Sequence, residues 1–159
     1  MILDKLLEFS DSQGAITSSA VSTNVVDLGA GPTLRDLGAG EIVWFVVQVD
    51  VTGTGAGTLT IQLVSCATAA EFAAQTTPHI HYQSPAIVGT DMVAGDELVK
   101  VPLASSSFLL AVDQQGAGYE RFLGCNYTIA STVGAVKLSA FLVKQPQTNI
   151  AYPSGFTAS

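Results

Sequence analysis

The chain has 159 residues, the size of one ordinary domain, and 48% of them are hydrophobic while only 12% are charged, against a usual charged share of about 25%. That apolar content excludes a disordered chain, and a formal charge of −7 with only six Lys and Arg argues against nucleic acid or an acidic membrane as partner. The longest apolar run, Ile42 to Val47, is far shorter than the roughly 20 residues of a spanning helix.

The opening MILDKLLEF carries Asp4 and Glu8 within its apolar stretch and has no basic flank leading to a small-residue cleavage site. It therefore does not read as a secretory leader, which predicts assembly in a cytoplasm. Residues 1–22 are expected to form an N-terminal arm, with Leu6, Leu7 and Phe9 as apolar anchors for a neighbouring subunit. From there the chain shows period-two or continuously apolar runs rich in Val, Ile and Thr, broken only by an alanine-rich piece around Phe72. Strands are predicted over Thr23–Leu28, Glu41–Val51, Thr58–Ser65, His79–Ser84, Glu97–Val101, Phe108–Val112, Arg121–Ala130 and Val136–Val143.

In TLTIQLV, residues Leu59, Ile61 and Leu63 share one face and Thr58, Thr60 and Gln62 the other, as in a half-buried strand. The run EIVWFVVQVDV is instead apolar on both faces, so Trp44 is expected to meet a partner where solvent would otherwise be. Gly-rich turns at 29–40, 52–58 and 114–118 and the VAGDE turn at Gly95 separate the runs. The pattern predicts an all-β, single-domain antiparallel sandwich, a jelly roll, over residues 23–144. After Lys144 the pattern stops, and QPQTNIAYPSGFTAS reads as an extended C-terminal arm over 145–159 with Tyr152 and Phe156 as anchors.

The residues that carry chemistry elsewhere do not assemble into a site. His79 and His81, the only histidines, share a strand face, but no carboxylate follows until Asp91 and there is no third histidine, so a cupin-like metal site is not expected. The glycine runs at 29–40 and 53–57 do not open a helix and lack a Walker lysine, so they read as turns rather than phosphate cradles. There is no Gly-x-Ser-x-Gly elbow, and Asp96 and Glu97 are adjacent and point to opposite faces. Asp91 and Asp96 read as solvated turn carboxylates, Asn126-Tyr127-Thr128 as a chance sequon, and Cys66 and Cys125 as buried free thiols. No cofactor, metal or enzymatic activity is expected.

The opening MILDKLLEFSDSQ with STNVVDLG after it, the VVQVD of Val46–Asp50, and RFLGCNYTI from Arg121 to Ile129 together resemble the Bordetella-phage capsid cement protein family. The resemblance implies a small jelly-roll protein on the outer surface of a tailed-phage head, clamping neighbouring major capsid protein subunits, with no catalytic residues. The segment SCATAAEFAAQ stands where the family has an acidic, serine-rich loop, and the arm after Lys144 lies beyond the matched part. A capsid cement that self-associates as a homodimer or homotrimer is the expectation, through Leu6, Leu7, Phe9, Trp44, Tyr152 and Phe156. The alternative is a carbohydrate-binding jelly roll for host attachment, which would need an exposed aromatic platform; the only tryptophan, Trp44, lies in an apolar strand.

Overall fold

Alternation in TLTIQLVSC sets the centre of the molecule. In the computed structural model, which describes residues 5–14, 16–29, 42–103, 119–144 and 146, this segment is strand β5 (Thr58–Cys66). Its Leu59, Ile61 and Leu63 are fully buried, while Thr58, Thr60 and Gln62 are half-buried on the opposite face. Each fully buried side chain of this kind contributes roughly 1.5–3 kcal/mol to folding.

Ten strands are described: β1 (Glu8–Ser10), β2 (Ala20–Val21), β3 (Val26–Asp27), β4 (Trp44–Val51), β5, β6 (His79–Gln83), β7 (Ile87–Val88), β8 (Glu97–Pro102), β9 (Phe122–Ala130) and β10 (Lys137–Val143). All pair antiparallel in two sheets. The first has the order β1-β10-β4-β8 and the second β2-β9-β5-β6, with β3 also on β9 and β7 also on β5. With β2 and β3 taken as one interrupted strand, and β6 and β7 as another, eight strands in chain order stand as 1-8-3-6 and 2-7-4-5. The fold is the all-β sandwich that the sequence predicts.

The space between the sheets is filled by Phe9, Phe45, Val47, Val49, Leu59, Ile61, Leu63, Leu123, Tyr127, Leu138 and Leu142, among others. A second, smaller cluster lies on the outer side of the second sheet, where Val64 and Cys66 are capped by Phe72 of helix α1 (Ala69–Ala74). The helix begins with a capping box: the Glu71 amide donates to Thr68 Oγ1, and the Thr68 amide donates to the Glu71 carboxylate. It ends at Gln75 in the left-handed region, φ 52°. The Phe72 ring lies against Gly124 of β9, where an added Cβ would stand 2.4 Å from a ring carbon.

Several expectations need correction. The N-terminal arm is part of the sandwich: β1 pairs β10, Ile16 bridges to Val136, and β2 pairs β9. Phe9, expected at an interface, is 0% exposed and packs edge-on against Phe45 at 6.0 Å. The doubly apolar strand β4 also differs from expectation. Phe45, Val47 and Val49 face the core, while outward-facing Val46 and its cross-strand neighbour Phe141 are each 1% exposed within a single chain. No second subunit is needed to bury them. The predicted strand Phe108–Val112 lies outside the described residues.

Candidate functional site

The exposed apolar side chains locate the best candidate contact surface. Leu6 is 68% exposed, in a 3-10 turn (Lys5–Leu7) that packs beside β10, and Ile42 is 61% exposed just before β4. Glu8 is opposite Phe141 and Trp44 is opposite Val143, so Leu6, Val143, Trp44 and Ile42 gather at one end of the first sheet. Trp44 is half-buried there, and Leu7 turns inward against the core. Leu6 and Trp44 therefore lie at the same end of the first sheet, whereas Phe9 is in the core. Tyr152 and Phe156 lie outside the described residues. Sequence reasoning did not single out Ile42, Val51, Ile80 and Val93 as exposed sites. Ile80 and Val51 sit in strand-like sequence whose outward parity is shifted by bulges.

The second gathering is polar and sits where β5 ends. Ser65, 0% exposed, accepts a hydrogen bond from the Glu120 amide at 3.0 Å and pairs with His81 Nε2 at 2.7 Å. The Tyr119 ring lies 4.5 Å from the His81 ring, and His79 Nδ1 lies 3.7 Å from Glu120 Oε1. His79 is opposite Ser65, and His81 is the extra residue of a register shift between the Leu63–Tyr82 and Val64–Ile80 pairs. Burial, helped by the neighbouring His79, pushes the His81 pKa down to about 4, and burial pushes the Tyr119 hydroxyl up to about 12. The serine and histidine are in hydrogen-bonding contact, but the hydroxyl is enclosed and already accepts a backbone bond, so it presents no open nucleophile. Among the described residues no group of three or more His, Cys, Asp and Glu is placed to hold a metal ion.

Other sequence candidates take up structural duties. The amides of Gly53, Gly55 and Gly57 donate to Met92, Val133 and Thr132 carbonyls, so the 52–58 turn has committed the donors that a phosphate would need. The Val93 amide donates to Asp96 Oδ2, closing the turn around Gly95, and Asn126 Nδ2 donates to Gln62 Oε1 across the second sheet. Cys66 and Cys125 are free and buried, as expected, and burial pushes both thiols up.

The segments that carry the family resemblance meet one another in space. STNVVDLG supplies β3 and RFLGCNYTI supplies β9, which pair. Arg121 Nε and Nη2 donate to the two Asp27 carboxylate oxygens at 2.8 Å each, and the Cys125 amide donates to Ser22 Oγ. The opening block reaches the same strand through the buried contact of Ser10 Oγ with the Tyr127 hydroxyl at 2.9 Å. A family model, Bbp16, matches residues 9–142. The chain belongs to the Bbp16 family. No curated protein matches it. The Bbp16 match runs from Phe9 in β1 to Leu142 in β10, so the region shared with the family contains the two sheets and α1, and stops before Tyr152 and Phe156.

Proposed function

We propose that this Bbp16-family chain is a structural virion protein: a capsid cement that sits on the outer surface of a tailed-phage head and bridges neighbouring major capsid protein subunits. Membership of the Bbp16 family carries the reading, joined to the resemblance of its N-terminal and Arg121–Ile129 segments to Bordetella-phage capsid cement proteins. The strand order 1-8-3-6 and 2-7-4-5 supports a jelly roll as the finer description of the sandwich. A cement needs surfaces rather than a reaction centre, and among the described residues Ser10 with Tyr127, Ser65 with His81, and Arg121 with Asp27 form polar contacts within the chain. Copies associate with one another and with the shell through the end that carries Leu6, Ile42 and Trp44, and many weak contacts over a shell sum to a large resistance against subunit separation. The chain is made in the bacterial cytoplasm and acts without cofactor or catalysis.

Deleting the gene from the phage that encodes it tests the reading. Heads lacking the protein are expected to assemble but to release DNA at lower temperature or under milder osmotic shock, with adding back purified protein restoring resistance. Heads of undiminished resistance, together with loss of host attachment, would instead support a receptor-binding role.

A further inference from the structure

We propose that the Ser65–His81 hydrogen bond is an acid-released latch that ties the start of β9 to the end of β5. Ser65 Oγ has one proton to give. The Glu120 amide donates to this oxygen, and His81 Nε2 lies 2.7 Å away. Donation of the hydroxyl proton to His81 Nε2 gives this enclosed proton a partner, and the latch assigns the bond that direction, with the imidazole neutral and its own proton on Nδ1.

Protonating His81 reverses that bond. Nε2 then donates, and a hydroxyl with no exposed surface has two donors aimed at it and must turn its proton elsewhere. The surroundings do not favour the charged ring. His79 lies on the same strand and opposes a second positive charge, and its Nδ1 is the group that faces Glu120. The Tyr119 ring packs on His81 from the segment before β9, and burial holds its hydroxyl neutral. On the outer side of β5, Cys66 faces α1 and feels Glu71 and Glu120, while Arg121 is held by Asp27. His81 is thus shielded and next to a like charge, and its pKa is pushed down to about 4. Above that pH the latch is closed; as pH falls toward it, the enclosed Ser65 hydroxyl proton is left without a partner beside a buried charge, and opening of the Ser65–His81–Glu120 contact, which relieves both, becomes easier while the sheets remain paired.

Nitrogen-resolved NMR of the full chain, from about pH 7 down to about pH 4, reads both halves of the latch. His81 is expected to show a neutral ring with the proton on Nδ1. Amide exchange at Glu120, corrected for intrinsic rate and compared with Ile61, is expected to speed up about tenfold as His81 takes its proton. Ile61 is a suitable reference because its amide donates to Ser84 Oγ rather than to a group bonded to His81. In His81→Gln the ratio is expected to stay constant over the same range. The inference is overturned if the ratio stays constant in the unmodified chain, if His81→Gln shows the same acceleration, or if the neutral ring carries its proton on Nε2.

Discussion

The four serines that are buried among the described residues each join two parts of the chain. Ser10 meets Tyr127, Ser22 accepts from the Cys125 amide, Ser65 accepts from Glu120, and Ser84 accepts from Ile61 while donating to the Pro85 carbonyl. Tyr127→Phe removes the partner of Ser10 and is expected to lower stability by about 1 kcal/mol in denaturant titration, because a buried hydroxyl loses a hydrogen bond. Gly124 acts by absence: in Gly124→Ala the new methyl meets the Phe72 ring, and a loss of about 1–3 kcal/mol is expected, largely recovered by pairing it with Phe72→Leu. Phe9→Ala should cost about 3–5 kcal/mol as a core truncation. Leu6→Ser, at an exposed site, should move stability by no more than about 0.5 kcal/mol while weakening association. His81 adds a pH dependence. Its folded pKa of about 4 lies below the ordinary 6.5, so the unfolded chain binds the extra proton. Its contribution is complete above pH 6.5, declines as pH falls from 6.5 toward 4, and is gone below that. Urea titrations across this window should show a shallower acid loss in His81→Gln than in the unmodified chain.

At the level of elements, the long strands were legible and the short ones were not. β5, β9 and β10 carry enough residues for alternation to show, and their observed limits agree with the predicted strands to within a residue or two. β1, β2 and β7 have two or three residues each, too few for any period, which is why residues 8–22 read as an arm and Phe9 as an anchor. Register shifts in the β1–β10, β4–β8 and β5–β6 pairs also move side chains between faces in a way that a strict period of two cannot follow. The Ser65 cluster was beyond reach for a different reason. Its members stand 16 and 55 residues apart and meet only through the order of strands in the second sheet. The same shifts affect association: edge strands β1, β8 and β6 each carry one, and the opposite edge is broken between β2 and β3, so an added strand finds no long straight edge. Contacts through faces and ends are favoured. Deleting residues 145–159 leaves β10 intact, and the truncated chain is expected to fold with unchanged far-UV circular dichroism and weaker retention on heads.

For the whole molecule, low charge and a closed sandwich point the same way. In the proposed role, a net charge of −7 would keep the chain from stray nucleic acid outside a DNA-filled shell, and its sparse charges would leave apolar contact as the main source of adhesion. The six residues expected at the interface divide on inspection: Leu6 and Trp44 lie at the same end of the first sheet, Leu7 and Phe9 turn inward, and Tyr152 and Phe156 fall outside the described residues. The family match covers the sandwich, so if the proposed cement role is right the sandwich is the part that meets the shell. Cryo-electron microscopy of mature heads from the encoding phage tests this most directly. The account predicts two-sheet density on the outer surface at junctions between major capsid protein subunits, with the Leu6, Ile42 and Trp44 end in contact. Heads that carry no such density, or the same chain found in the tail or tail fibres, would contradict it.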